Sequence, residues 1–201
     1  MQRLKLENDT KALVVVAHPD DETIWMGEVI LSNPKVSWTI FSLCRKTDPD
    51  RAPKFYKVCR FYGAKGLMSD LDDEAKLTLA QSLSEIERRF SPFVGKKKYD
   101  YIFTHGANGE YGHPRHKGVN QIVKKFAQKK KLICSNLFYF AYKTIDKKIV
   151  NNLEKTNFYF KGGSKNFKLK QKLIEKFYGF SQDSFEYQSA KKTETFLKAK
   201  I

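Results

Sequence analysis

An uninterrupted apolar run, Leu13 to Ala17, ends directly in His18-Pro19-Asp20-Asp21-Glu22. A short, valine-rich run without alternation is typical of a strand that is buried on both faces, as in a parallel sheet. In open α/β sheets, ligands collect at the carboxyl ends of such strands. The sequence therefore predicts a functional site in the five polar or turn-forming residues that follow this strand.

Further apolar patterns alternate between the periods of strands and helices. The predicted strands cover 11–17, 36–44, 65–68, 99–104 and 132–142, and the predicted helices cover 22–31, 50–62, 74–90 and 114–128. This alternation predicts an α/β fold with a mainly parallel sheet. The later pattern is weaker. We expect a loop or edge strand over 151–160, a helix over 167–178, and frayed chain over the last dozen residues.

The size and composition of the chain suit one domain. Its 201 residues, 41% of them hydrophobic, can bury one sizeable core, so we expect a single domain over 1–201. The polar start, 1–10, lacks the apolar segment of a signal peptide, and no apolar stretch could span a bilayer. Three widely spaced cysteines, Cys44, Cys59 and Cys134, favour free thiols in a reducing compartment. We therefore expect a cytoplasmic protein.

The net charge of +16 is unevenly distributed. Residues 1–100 carry 17 basic and 15 acidic side chains, whereas residues 101–201 carry 21 and 7. Such asymmetry favours anionic partners, among them phosphate-bearing substrates, acidic lipid headgroups and nucleic acid. The alternative is that the lysines only form a solvated surface, because net charge determines solubility more than fold.

A second polar cluster, Gly112-His113-Pro114-Arg115-His116, lies about ninety residues after the first. Two imidazoles and one carboxylate with an open position form the arrangement of catalytic zinc sites, and His18, Asp21 and His116 are the candidate ligands. An ion bound in this way can lower the pKa of a coordinated water to about 7. Asp20 is the candidate general base for that water.

Two other side chains are candidates for the chemistry. His113 precedes His116 by three residues, so both share one face if this stretch is helical, and His113 could polarise a carbonyl or protonate a leaving amine. Tyr111 could donate a hydrogen bond to an oxyanion. The sequence lacks the H-E-x-x-H of zinc peptidases and the signature of zinc deaminases. Iron(II) uses the same ligand types, so oxygen chemistry is formally possible, but the α/β pattern and the extra Asp20 count against it.

The two motifs resemble those of a known enzyme family. Ala17-His18-Pro19-Asp20-Asp21-Glu22 and Gly109-Glu110-Tyr111-Gly112-His113-Pro114-Arg115-His116 are similar to the motifs of the LmbE-like zinc deacetylases, within 11–130. That family includes the de-N-acetylase of N-acetylglucosaminyl-phosphatidylinositol and the sugar deacetylases of the mycothiol and bacillithiol pathways. The resemblance implies a Rossmann-like three-layer fold with a mainly parallel sheet.

The resemblance also implies roles for individual side chains. It implies a zinc ion on His18, Asp21 and His116, with Asp20 as base and His113 as acid or oxyanion group. Arg51 resembles a family arginine that can contact substrate, and Arg45 is a second candidate for substrate binding. The acidic turn 70–73 resembles the position of an aspartate that orients the catalytic histidine, with Asp72 as the candidate and Asp70 as the alternative.

Two positions depart from the family pattern. Lys54 stands where the family usually has glutamate, and Arg115 stands where it usually has aspartate in H-P-D-H. Neither departure removes a metal ligand. Both add positive charge, which we expect near the rim of the pocket, and this favours an anionic substrate.

We therefore expect a zinc-dependent hydrolase that removes the acetyl group of an N-acetylglucosamine-type sugar, with a phosphate- or lipid-linked sugar as a candidate substrate. The basic extension over 143–201 is expected to pack on the domain and is a candidate for peripheral contact with acidic lipid. One alternative is a polyanion- or nucleic-acid-binding protein with a structural metal. Its lysine runs, 96–98 and 129–131, lack interleaved aromatic residues, so no specific nucleic acid is expected. Another alternative is an inactive sugar-binding homologue.

Overall fold

The computed structural model describes residues 1–74, 76–91, 95 and 97–200. Position 75 of the predicted helix 74–90 and position 96 of the lysine run 96–98 lie outside the described residues.

An eight-stranded mixed sheet forms the centre of the fold, in the order β1-β9-β10-β6-β5-β2-β3-β4, and β7 and β8 form a separate hairpin. The strands are β1 Gln2–Arg3, β2 Lys11–Val16, β3 Ser37–Cys44, β4 Lys65–Leu71, β5 Lys98–Thr104, β6 Ile133–Phe140, β7 Tyr142–Ile145, β8 Lys148–Asn151, β9 Phe158–Lys161 and β10 Thr193–Lys198.

The helices cover both faces of this sheet. They are α1 Asp21–Ser32, α2 Arg51–Phe61, α3 Leu79–Phe90, the short α4 Gly109–Gly112, α5 Pro114–Gln128, α6 Ser164–Lys172 and α7 Phe185–Ser189. A 3-10 turn covers Leu153–Lys155, and a π-helical turn over Leu173–Tyr178 continues α6.

The central strand β2 explains the three layers. It pairs in parallel with β3 and β5, with Val14 opposite Ile40 on one side and Phe103 on the other. Val14 and Val16 belong to the core cluster that includes α1, α2 and the π-helical turn, whereas Leu13 and Val15 belong to the cluster that includes α3 and α5. Because successive side chains point to opposite faces, a continuous apolar run is required here. The predicted single α/β domain with a Rossmann-like, mainly parallel sheet is confirmed.

The C-terminal part of the chain belongs to the sheet. β10 lies between β9 and β6 and pairs antiparallel with both, with Phe196 opposite Phe140. The expectation of frayed chain over the last dozen residues is therefore wrong. The segment 151–160 ends in β9, which has a neighbour on each side and is not an edge strand. Local polarity misled both expectations, because β10 buries the polar residues Glu194 and Thr195 and β9 is preceded by a polar stretch.

Of two helix starts, one lies later in the chain than predicted and the other lies at the predicted residue. Helix α3 begins at Leu79 and not at 74, because the Thr78 side chain accepts a hydrogen bond from the Gln81 N–H in a capping box. Helix α5 begins at Pro114, as predicted, with His113 as its N-cap. In the part of the chain that the structure describes, no helix combines the length and the apolar character that a membrane crossing needs.

Candidate active site

Three elements bring the predicted ligands to the carboxyl edge of the parallel strands. His18 follows β2, Asp21 begins α1, and His116 lies in the first turn of α5. Asp21 and His116 are buried, and His18 is partly exposed. Because β2 and β5 are adjacent and parallel, the loops after them open at the same edge.

The donor atoms of the three predicted ligands converge on one point. His18 Nδ1 lies 3.2 Å from Asp21 Oδ2 and 3.2 Å from His116 Nε2. His116 Nε2 lies 3.4 Å from Asp21 Oδ2. Donor atoms around a tetrahedral zinc ion with bonds of about 2.05 Å are roughly 3.3 Å apart. The triangle therefore has the dimensions of a tetrahedral metal site.

Neighbouring carboxylates determine which imidazole nitrogens are free to bind an ion. His116 Nδ1 lies 2.6 Å from Glu110 Oε2, and His18 Nε2 lies 2.6 Å from Asp73 Oδ1. An ionised carboxylate only accepts hydrogen bonds, so each of these nitrogens carries the proton. The lone pairs of His116 Nε2 and His18 Nδ1 therefore point into the triangle.

The third ligand is also held in place by hydrogen bonds. The Trp25 indole N–H donates to Asp21 Oδ1 at 2.8 Å, and the His18 backbone N–H donates to Asp21 Oδ2 at 2.8 Å. Burial raises the pKa of Asp21, but His116 and His105 lower it well below its ordinary value. Asp21 is therefore an oriented carboxylate.

Other groups of side chains within the described residues also come close enough to hold an ion: His18 with His113 and His116, His18 with Cys44 and Asp73, and Asp21 with His105 and His116. His105 is poorly suited as a ligand. Its Nε2 accepts a hydrogen bond from the Ala17 N–H at 2.9 Å, and its Nδ1 donates to Glu110 Oε2 at 2.9 Å. Both nitrogens are occupied by protein, so His105 supports the site from behind, with its ring stacked 3.8 Å from that of His116.

Asp20 lies beside the triangle in a strained backbone conformation. Its φ of 138° falls in a region that favours glycine, and such strain costs about 1–3 kcal/mol. Its carbonyl accepts hydrogen bonds from the Thr23 and Ile24 N–H groups, and its N–H donates to Glu22. Burial, and after it the charge of Asp21, raise the pKa of the Asp20 carboxyl. The strained turn directs Asp20 into the pocket, while Asp21 belongs to the triangle.

His113 faces the same pocket in a defined tautomer. Its Nδ1 accepts a hydrogen bond from the Arg115 backbone N–H at 3.2 Å, which leaves the proton on Nε2. Burial, and then the neighbouring His116 and His18, lower the pKa of His113 to about 3, so the ring is neutral at pH 7. Its ring centroid lies 4.7 Å from that of His18. The neutral ring can donate one hydrogen bond from Nε2.

The pocket has a volume of about 180 Å³ and opens beside the triangle. The predicted residues that line it include Asp20, Arg45, Arg51, Tyr111 and His113. Tyr111 packs edge-on against His116, with ring centroids 5.2 Å apart. The structure therefore places every predicted site residue except Asp72 in the triangle or on the pocket wall.

The interpretation of Asp72 as the aspartate that orients a histidine is wrong, and so is the alternative Asp70. Asp73 contacts His18, whereas Asp72 Oδ2 accepts a hydrogen bond from Arg115 at 2.6 Å. Asp70 accepts hydrogen bonds from Thr47. Three neighbouring acidic residues cannot be distinguished by position alone, because the end of β4 and the turn after it point each side chain in a different direction.

The predicted arginines are both paired with protein carboxylates. Arg51 Nη1 donates to Asp20 Oδ2 at 3.3 Å, and Arg45 Nη2 lies 2.7 Å from Asp73 Oδ2. Arg45 also contacts Asp48. Both side chains reach the pocket, but their charges are partly neutralised by these partners.

The two departures from the family pattern lie elsewhere than expected. The Arg115 side chain is 3% exposed and points away from the pocket toward Asp72 and the Leu77 carbonyl. Lys54 pairs with Asp50 at 2.7 Å and does not line the pocket. The expectation that both add positive charge at the pocket rim is therefore wrong, since a carboxylate partner turns each side chain away.

Sequence reasoning missed three supporting residues: Glu110, Asp73 and Trp25. Glu110 lies inside the second motif, and its place between two histidines in the chain was the available signal. Glu22, interpreted as a helix-start residue, also binds the Tyr178 hydroxyl at 2.6 Å, so it connects the C-terminal part to the site.

Comparisons with known proteins agree with the fold. No family model matches the chain. An uncharacterised protein, L374 of Acanthamoeba polyphaga mimivirus, is 22% identical over 128 residues, which cover 55% of this chain and 55% of that protein. The chain thus spans about half the length of the curated relative that it matches.

Solved structures cover much more of the chain. The N,N'-diacetylchitobiose deacetylase of Pyrococcus horikoshii has a TM-score of 0.71 at 18% identity, covering 94% of this chain and 84% of its own. The 4-carboxy-2-hydroxymuconate hydratase of Pseudomonas putida has a TM-score of 0.62 at 12% identity, covering 90% of this chain and 82% of the hydratase. The A40926 pseudoaglycone deacetylase has a TM-score of 0.59 at 12% identity, covering 85% of this chain and 82% of the deacetylase. The chain has the fold of these enzymes, in agreement with the Rossmann-like, mainly parallel sheet that the resemblance implied.

Proposed function

We propose that this protein is a metal-dependent N-deacetylase that acts on an N-acetylglucosamine-type sugar. One observation carries the proposal. Three donor atoms, on His18, Asp21 and His116, form a triangle with edges of 3.2–3.4 Å, and both imidazole lone pairs face its centre. Asp20 and His113 line the pocket beside it.

The residues present fit a divalent ion held by two imidazoles and one carboxylate. We propose zinc, and iron(II) is the alternative because it uses the same donors. Such an ion polarises a carbonyl group and makes a water molecule more acidic. Metal analysis of the purified protein, repeated after chelation and reconstitution with each ion, distinguishes the two.

The pocket residues then account for hydrolysis of an acetamide. Asp20 takes a proton from water as the water oxygen attacks the carbonyl carbon. His113, through its Nε2–H, and the Tyr111 hydroxyl donate hydrogen bonds to the oxyanion that forms. The C–N bond breaks as Asp20 returns its proton to the nitrogen, which leaves a free amine and acetic acid, and the acid releases its proton to solvent to give acetate. Arg51 holds the Asp20 carboxylate during both transfers.

Acetate release from a panel of N-acetylglucosaminides tests this function. D20N should lower kcat by at least about a hundredfold and retain the metal, because Asp20 is not a ligand in the proposed site. H18A should lose both the metal and the activity. E154Q, a change in an exposed ion pair with Lys143, is the matched control. Undiminished acetate release by D20N would contradict the proposed base.

A hydratase shares this fold, so the fold alone does not decide between amide hydrolysis and addition of water to a double bond. Our preference for hydrolysis depends on the neutral His113 and on Tyr111, which are suited to a tetrahedral oxyanion. If the protein hydrates unsaturated acids and releases no acetate, the deacetylase assignment is wrong.

The linkage of the sugar is a separate proposal. Both pocket arginines have carboxylate partners, so the pocket suits an uncharged reacting sugar. The net charge of +14 over residues 101–201 supports a phosphate-bearing group outside the pocket, on a nucleotide or lipid. We propose a cytoplasmic protein that can bind the inner membrane surface peripherally. Flotation with vesicles of acidic or neutral lipid tests this, and equal recovery with both would contradict the lipid contact.

A further inference from the structure

Two exposed aromatic side chains meet at the mouth of the pocket. Phe185 is 42% exposed and Tyr111 is 38% exposed. Their ring centroids are 4.9 Å apart, and the rings are inclined at 70°. Both residues line the cavity beside the metal triangle. An apolar surface that stays open to solvent next to a polar pocket is typical of a ligand-binding site.

The position of Phe185 is defined by structure on both sides of it. It is the first residue of α7, whose N-cap Ser184 accepts a hydrogen bond from the Tyr187 N–H. Five residues earlier in the chain, the Phe180 ring lies under the Arg51 guanidinium, with the ring centroid 4.4 Å from the guanidinium carbon. Arg51 in turn binds Asp20. The pair Phe185 and Tyr111, which we call the aromatic wall, is therefore connected to the side of the pocket that Asp20 lines.

A carboxylate without a protein partner lies next to this wall. Glu186 lines the pocket, and no side chain among the residues described in the structure forms an ion pair or hydrogen bond with it. Every other carboxylate on the pocket wall is engaged: Asp20 with Arg51, Asp21 with Trp25, and Asp73 with His18. Glu186 is thus available to accept hydrogen bonds from a ligand.

We infer that Phe185, together with Tyr111 and Glu186, forms the subsite that binds the pyranose ring of the substrate. This inference rests on the proposed deacetylase function. A pyranose has an apolar face of C–H groups and a rim of hydroxyls. The Phe185 ring packs against the apolar face, and the Glu186 carboxylate accepts hydrogen bonds from hydroxyls. The acetamide then reaches the triangle past Tyr111.

The charges near the wall favour a neutral sugar over an anion at this subsite. Glu186 repels negative charge, and Arg45 and Arg51 are both paired with carboxylates. An anionic sugar would have to displace one of these partners. The phosphate of a larger substrate would therefore lie outside this subsite.

Two variants test the subsite. F185A should raise KM for an N-acetylglucosaminide about fivefold with kcat changed less than twofold, since one aromatic contact supplies an effect of this size. F185W should restore KM. F61A is the matched control, because Phe61 is 46% exposed but packs on Phe177, away from the pocket. The melting temperatures of all variants show whether each one folds.

Direct binding separates this inference from the proposed function. Saturation-transfer NMR with the metal-loaded protein and methyl N-acetylglucosaminide measures sugar binding without turnover. Binding that is retained by F61A and F185W but weakened by F185A supports the subsite, even if no acetate is released. Equal binding by F185A and the unchanged protein, or no sugar binding by the unchanged protein, overturns it.

Discussion

One carboxylate, Glu110, holds both of the buried imidazoles of the site. Its Oε2 accepts hydrogen bonds from His116 Nδ1 at 2.6 Å and from His105 Nδ1 at 2.9 Å. Burial raises the pKa of Glu110, but His105 and His116 lower it to about 2. The carboxylate is therefore ionised at neutral pH and fixes the tautomer that presents His116 Nε2 to the triangle.

We expect E110Q to weaken zinc binding about 10–100-fold, because the amide no longer enforces that tautomer. Competition with a chromophoric chelator measures the dissociation constant. E154Q is the control on an exposed side chain. An unchanged constant for E110Q would show that Glu110 does not orient the ligand.

Arg115 connects the start of helix α5 to the turn after β4 by hydrogen bonds. Its Nη2 donates to Asp72 Oδ2 at 2.6 Å and to the Leu77 carbonyl at 2.9 Å. Asp73, the next residue, contacts His18. Arg115 is therefore a positioning residue, since it holds the turn from which Asp73 reaches a proposed ligand.

We expect R115A to lower the free energy of unfolding by about 2 kcal/mol, because it removes the charge-assisted hydrogen bonds that the buried guanidinium donates to Asp72 and the Leu77 carbonyl. We also expect an altered visible absorption spectrum of the cobalt-substituted protein, since His18 loses its orientation. R88A, which removes an exposed arginine paired with Glu85, is the control for both measurements. A cobalt spectrum that stays the same in R115A would restrict Arg115 to a role in stability.

The C-terminal part is attached to the rest of the molecule through a buried charged cluster. Lys170 of α6 and Glu194 of β10 form an ion pair at 2.6 Å, with both side chains fully buried. Glu194 also accepts hydrogen bonds from the Glu28 and Val29 N–H groups of α1. A Cβ added at Gly162 would overlap the Glu28 carboxylate, so any larger residue there would displace the Glu28 side chain.

Glu28 makes the stability of the whole molecule depend on pH. Burial, and then Glu194, raise the pKa of Glu28 to about 7. The folded state therefore keeps a proton on the Glu28 carboxyl up to about pH 7, whereas the unfolded state releases it near the ordinary glutamate pKa of about 4.5. The free energy of unfolding therefore falls as the pH rises from about 4.5 to 7 and stays lower above pH 7. We expect E28Q to be about 2 kcal/mol more stable than the unchanged protein at pH 8 and equally stable near pH 4.

Urea unfolding of both proteins at several pH values measures this difference. E154Q should leave the profile unchanged, because its carboxylate is exposed. Parallel profiles for E28Q and the unchanged protein would show that Glu28 titrates normally.

Much of the fold and the central residues of the candidate site could be predicted from local patterns. The valine-rich run of β2 requires burial on both faces, and the alternation of strands and helices leads to a parallel sheet. Two motifs predicted His18, Asp21 and His116 as candidate ligands, because the loops that follow adjacent parallel strands lie at the same edge of the sheet. Helix starts were predictable where a proline or cap marks them, as at Pro114.

Side-chain direction and long-range partners were decided only by the tertiary structure. Asp72 and Asp73 are equivalent in the sequence, yet one binds Arg115 and the other His18. Arg115 was expected at the pocket rim but is buried, because its partner lies 43 residues away in the chain. Strand β10 was not recognised because the neighbours that bury it, β6 and β9, are distant in sequence. Local composition determines which segments can form strands, helices and ligands, but only packing determines which of these groups face one another.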